Sequence, residues 1–239
     1  MKYIGVDGCR KGWFFVGIND DSSFEVGVIA EFSAVLHLLT DVTLILVDIP
    51  IGLLTMGGTE RLCDLAARQM IKPRGSTVFP APARSAIYKG TYEEASAENY
   101  RCVGRKLSKQ SFGICKKIRE VDEFMRTVRP GSKVREMHPE VAFCGLSNMS
   151  SILTRKKKPD GYHDRIDLLR TLYPKTDAVV QAARDKEPLK RHLANDDILD
   201  ALVGAVTASH SPNIETLPQN PPIDDEGLPM EMVYARRSA

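Results

Sequence analysis

Long apolar runs, paired cysteines and a strong net charge are all missing from this 239-residue chain. Each absence removes a class of protein. No apolar stretch approaches the ~20 residues of a membrane-spanning helix, so no membrane partner is expected. The chain opens directly on a strand, without a basic segment leading into an apolar one, and no signal peptide is expected. Its five cysteines (Cys9, Cys63, Cys102, Cys115, Cys144) are odd in number and contain no Cys-x-x-Cys pair. That argues against a disulfide framework or a zinc site and fits a reducing, cytoplasmic setting. A formal charge of +2 means that any nucleic-acid contact must come from local patches rather than from a whole-protein field. There is no glycine-rich phosphate loop, no internal repeat and no low-complexity tract. His138 could shuttle protons, although a single His beside a Pro is more often structural, and the other histidines (His37, His163, His192, His210) show no metal-binding spacing.

What is present is the composition of an ordinary globular protein, 43% hydrophobic and 27% charged. At this length it can bury a substantial core as one α/β domain with insertions. Residues 2–8 read as a buried strand, followed by the turn Gly8-Cys9-Arg10-Lys11-Gly12. Trp13 to Ile18 and roughly 24–30 read as two more strands. Residues 31–39 carry apolar side chains at helical spacing, and 43–49 is an aliphatic strand. This pattern predicts a mixed sheet whose fourth strand is covered on both faces. Thr59 to Ile71 reads as a helix capped by Thr59. The prolines of Lys72 to Pro82 rule out a continuous helix there. Helices are expected at about 91–106 and 111–128, a strand at Lys133 to Met137, and a helix with Pro139 in its first turn. A basic loop at 149–161 precedes helices at about 162–172, 176–184 and 195–209. The tail from Ser211 is rich in Pro, Asn, Asp and Glu and is expected to wrap the surface.

Acidic residues carry the chemical signal. Asp7 closes the run Tyr3-Ile4-Gly5-Val6, and Asp48 closes Leu44-Ile45-Leu46-Val47. Ligands of open α/β sheets gather at such strand ends. A turn carboxylate bonding nearby N–H groups explains Asp7 equally well, but Asp48 ends an aliphatic run and needs a partner of some kind. In the last helix Asp197 and Asp200, and Asp196 and Asp200, are spaced to share a face. Asp200 stands a turn inside and ranks first, Asp197 second, and Asp196 is the natural cap. Glu136 ends a strand and is an auxiliary ligand candidate, with Glu140 behind it because a helix dipole explains that position. Crowded carboxylates repel unless a proton or cation lies between them, and hard oxygen ligands suit Mg²⁺ or Mn²⁺.

Positive charge clusters at Arg155-Lys156-Lys157-Lys158 and at Lys186, Lys190, Arg191 and His192. A solvated surface explains such runs; contact with a phosphate backbone is the functional alternative. Arg10 and Lys11 follow Asp7, while Arg74, Ser76 and Arg84 belong to the proline-rich stretch and could also reach a substrate. Cys9 has no general base beside it in sequence.

Several stretches resemble the domain of unknown function 429 family. They are Tyr3-Ile4-Gly5-Val6-Asp7-Gly8-Cys9 with Gly12-Trp13, Val47-Asp48-Ile49-Pro50-Ile51-Gly52-Leu53, Phe79-Pro80-Ala81-Pro82 with Arg84, and Glu136-Met137-His138-Pro139-Glu140. That family is described as predicted nucleases with an RNase H-like fold. The closing Asp197-Ile198-Leu199-Asp200-Ala201-Leu202 also resembles the last helix of RuvC-type resolvases. The resemblance implies an α/β fold with a mixed five-stranded sheet flanked by helices, the first three strands antiparallel. Residues 1–210 would form this domain, with a helical insertion at about 56–130 and a tail at 211–239. That long insertion departs from the resolvase pattern.

The resulting expectation is a nuclease that hydrolyses phosphodiester bonds at a two-metal carboxylate site of Asp7, Asp48, Asp197 and Asp200, assisted by Glu136. Asp7 would be shared between the ions. Arg10, Lys11, Arg74, Arg84, Arg155, Lys156, Lys157 and Lys158 would contact the nucleic acid, DNA or RNA. The rivals are a nucleotide-binding phosphotransferase, which shares the topology and normally needs two copies of it, and a non-catalytic metal- or nucleic-acid-binding module. Oligomeric state is not legible.

Overall fold

The computed structural model describes residues 1–185 and 193–237. The Arg10-Lys11 turn folds β2 (Gly12–Ile18) antiparallel onto β1 (Tyr3–Cys9), and β3 (Phe24–Ile29) pairs antiparallel with β2. β4 (Leu44–Val47) joins the other side of β1 in parallel, and β5 (Val134–Glu136) lies parallel outside β4. The order β3-β2-β1-β4-β5 is a five-stranded mixed sheet.

Between β4 and β5 the chain inserts α1 (Leu62–Met70), α2 (Tyr92–Val103), α3 (Lys109–Gly113) and α4 (Cys115–Val128). After β5 come α5 (Pro139–Leu146), α6 (Pro159–Leu172), α7 (Thr176–Asp185) and α8 (Asn195–Ser209). The alternation of side chains along each strand divides these helices between two cores. Phe14, Val16 and Leu46 face α5, α6, α7 and α8. Ile4, Val6, Trp13, Ile45 and Val47 face Phe32, α2 and α4 on the other side. All four residues of β4 are buried, as expected of a parallel strand covered on both faces.

One contact positions the functional end of the sheet. A Cβ on Gly5 would lie 1.9 Å from the Ala201 carbonyl oxygen, and one on Gly204 would lie 3.0 Å from the Gly5 Cα. Two glycines therefore let α8 rest directly on β1. Gly5 and Asp7 share a strand face, and Asp200 and Gly204 share a helix face. The glycine contact thereby delivers Asp200 to Asp7.

Several elements differ from the expectation. Residues Phe32–Leu38 form a 3-10 helix rather than an α-helix. Thr59 caps nothing: α1 starts at Leu62, and its N-cap is Arg61, whose side chain turns inward to Asp64 and Glu136. The helix expected at 111–128 starts earlier and breaks at Ile114 into α3 and α4. Pro159 starts α6, where a missing N–H costs nothing, so the basic loop is shorter than expected. In the tail, β6 (Ile214–Leu217) pairs antiparallel with β7 (Met232–Ala235), and every residue of β7 is buried. Among the described residues, no helix is long and apolar enough to cross a membrane.

Candidate functional site

The register of β1 on β4 pairs Val6 with Val47, so the next residues of the two strands, Asp7 and Asp48, stand side by side. The Asp48 N–H donates to the Val6 carbonyl at 3.0 Å and extends the ladder by one step. α8 adds Asp200 from above. One carboxylate oxygen from each of Asp7, Asp48 and Asp200 lies within 4.8 Å of the others. Residues separated by up to 193 positions thus meet at the carboxyl ends of two parallel strands, where open α/β sheets bind ligands.

The site holds negative charge at a cost. Burial raises the Asp7 carboxyl well above the ordinary range, and Asp48, Asp200 and Asp197 raise it further. Burial lifts Asp48 to about 6 and Asp200 to about 7, although Lys156 pulls both back down. The Asp7 carboxylate accepts a 2.6 Å bond from the Gly8 N–H. Lys156 Nζ donates to Asp200 Oδ2 at 2.6 Å and lies 3.8 Å from Asp196. Burial would lower the Lys156 ammonium, but Asp200 and Asp48 outweigh it and raise it. Three hard oxygen donors, mutually repelling and served by one ammonium, form a donor set that suits a divalent cation of the Mg²⁺ or Mn²⁺ kind.

The remaining acids are engaged elsewhere. Asp197 accepts the Ala194 N–H at 2.9 Å and so caps its own helix, the role expected of Asp196. Asp196 faces Lys156 instead. Glu136 is held by Arg61 through bonds of 2.7 and 2.8 Å and accepts the Ile51 N–H at 2.6 Å, so it anchors the strand-end loop rather than completing the acidic cluster. Glu140 is gripped by both Arg165 Nη2 contacts, at 2.7 and 2.8 Å. His138 Nδ1 accepts from the Glu140 N–H, which makes it the cap of α5, and burial lowers the pKa of its ring. Burial also pushes the Cys9 thiol up, away from thiolate reactivity.

A groove of about 1040 Å³ opens over Asp7 and Asp48. Arg74, Ser76 and the basic run Arg155 to Lys158 line it, and α3 and α4 supply Gln110 and Lys117. The helical insertion is therefore a wall of the groove. Arg74 leans on Glu140 at 3.8 Å. Arg84 is a correction: it is 7% exposed, bonded to Asp122 and Asp224, and holds the tail to the insertion. Arg10 and Lys11 are exposed at the β1–β2 turn, outside the groove. Lys186, Lys190, Arg191 and His192 lie outside the described residues.

Two features escaped the sequence. Lys117 donates to the Gly12 carbonyl at 2.5 Å and stacks 4.3 Å over the Trp13 ring. Its signal was Gly8, because a Cβ there would come within 2.8 Å of the Lys117 side chain. The second is Lys156, grouped with its neighbours as a phosphate contact but turned into the acids.

The sheet order and strand directions are those of an RNase H-like α/β protein, with acids at the ends of β1 and β4 and in the last helix. The family described as protein of unknown function (DUF429) matches residues 5–223, and the chain belongs to it. No curated protein and no solved structure matches.

Proposed function

We propose that the protein is a divalent-cation-dependent nuclease that hydrolyses phosphodiester bonds. The observation that carries this reading is the meeting of Asp7, Asp48 and Asp200, oxygens within 4.8 Å, beside a groove with basic walls that Asp7 and Asp48 line. Mg²⁺ or Mn²⁺ held by these three residues would supply Lewis-acid stabilisation of the phosphoryl charge and a water acidic enough to attack at neutral pH. Arg155, Lys157 and Lys158 would bind backbone phosphates, which positions a strand without reading its sequence. Lys117 would add charge from the part of the wall that α4 supplies. Burial of Asp200 and the packing of α8 on β1 hold the carboxylates in place without help from substrate.

The test is cleavage of labelled single-stranded and duplex DNA and RNA with Mg²⁺ or Mn²⁺, by wild type and Asp7→Asn. Asp7→Asn keeps an oxygen for the Gly8 N–H and removes the charge. Its metal-dependent turnover should fall more than about 100-fold, beyond the loss typical of outer-sphere partners. Full metal-dependent activity in this variant would falsify the assignment.

A further inference from the structure

We infer that Lys156 stands in the place of a second divalent ion, so that the carboxylate cluster takes up one metal ion per chain and not two. This rests on the reading of the cluster as a cation site, and it goes beyond that reading by assigning the number of ions and a positioning role to one lysine.

Two-ion phosphodiesterases place their metals roughly 3.5–4 Å apart and need a carboxylate on each side. Here the far side belongs to Asp200, and its Oδ2 already receives the Lys156 ammonium at 2.6 Å. Asp196 approaches the same ammonium at 3.8 Å. The lysine reaches this position from a loop whose other cations are not bonded into the cluster, so it is singled out by geometry and not by the charge of the run. Its side chain is 35% exposed while that of Asp200 is 3% exposed, so the ammonium closes the solvent side of a buried carboxylate. Like-charge repulsion agrees: a second divalent ion on that side would sit against the Lys156 ammonium, and two cations in contact at a partly buried site repel strongly. Asp197 is turned to the Ala194 N–H and does not offer that oxygen to the cluster.

A fixed ammonium differs from a metal ion in what it can do. It donates hydrogen bonds and balances charge, but it does not acidify a bound water. Lys156 therefore orients Asp200 through Oδ2 and leaves its other oxygen, with those of Asp7 and Asp48, for the single metal ion.

The experiment is calorimetric titration of Mn²⁺ into wild type, Lys156→Gln and Lys156→Arg, with circular dichroism to check folding. Lys156→Met, close to lysine in shape but uncharged, replaces the Gln variant if that protein does not fold. The expected stoichiometry is one ion for wild type and for Lys156→Arg, and two for the uncharged variant. Two ions in wild type, or one ion in the uncharged variant, overturns the role of Lys156 while leaving the metal site intact. No Mn²⁺ uptake by wild type overturns the metal site itself and this inference with it.

Discussion

Glu136 and Asp48 end neighbouring parallel strands, and their surroundings are opposite. Glu136, 2% exposed, is clasped by Arg61, which also bonds Asp64 and the carbonyls of Ile51 and Gly52. Asp48 faces Asp7 and Asp200, and the ammonium nearest the group is committed to Asp200. A carboxylate at a strand end is thus not a site by its position. It becomes one when no arginine is delivered to it, and α1 delivers Arg61 to β5 but not to β4. The first environment is satisfied, and the second stores repulsion that a bound cation would relieve.

Removing the arginine breaks this contrast most directly. Arg61→Ala leaves Glu136 and Asp64 buried without their partner, and losing one member of a buried pair costs roughly 3–5 kcal/mol. Urea denaturation should register that loss. Asp48→Asn, one strand away, relieves repulsion and should not destabilise the metal-free protein. Equal losses in the two variants would mean that both strand ends are structural.

A smaller effect is expected from the helix contact that builds the cluster. In Gly5→Ala the new methyl meets the α8 backbone, since its Cβ would lie 1.9 Å from the Ala201 carbonyl oxygen. Overpacking of this kind costs roughly 1–3 kcal/mol. Because α8 must retreat from β1, Asp200 moves away from Asp7, and Mn²⁺ affinity should fall with stability. The Arg61 network, on the opposite side of β4, contains no α8 residue and should be spared. Unchanged Mn²⁺ binding in a destabilised Gly5→Ala protein would separate the ion from Asp200.

The same contrast explains what the sequence could and could not say. Strands with continuous apolar runs were legible, and α8 spans 195–209 as its apolar spacing implies. Asp7 and Asp48 were legible because an acid that closes an aliphatic run is drawn into the interior by its neighbours and must find a partner there. Asp200 was legible because it stands too far into an apolar helix to serve as its cap. Partners were not. Arg61 finds Glu136 across 75 positions, and Arg84 finds Asp224 across 140, and nothing local marks either arginine as buried. Arg84 therefore read as a surface contact, and Glu136 as a ligand. The short strands β6 and β7 were hidden by a proline-rich tail whose pairing is long-range in character. Asp196 and Asp197 exchanged roles because both suit a first turn, and only the backbone path at Ala194 decides which carboxylate folds back.

The smallest effect is in proton linkage, and it probes the repulsion itself. In the folded chain Asp48 is raised to about 6, with burial the first cause, whereas an unfolded Asp titrates near ~3.9. A raised carboxyl pKa means that the folded state holds a proton the unfolded state has released. Its contribution to stability is fully present below about pH 4 and is lost as pH rises through about 6. Asp200, raised to about 7, and Glu136, also raised to about 7, act in the same direction. His138 opposes them, because burial lowers its pKa and the unfolded ring takes up the proton. The pH profile of wild type alone is therefore a sum of opposing parts, and subtraction isolates Asp48. Metal-free wild type should gain up to about 1 kcal/mol relative to Asp48→Asn between pH 8 and pH 5.5, after allowance for solvent screening. Saturating Mn²⁺ should abolish this difference in slope, because the bound ion requires the ionised carboxylate and binds more weakly as protons compete. Parallel profiles for the two metal-free proteins would place Asp48 at an ordinary pKa, and the acidic cluster would then hold no repulsion for a cation to relieve.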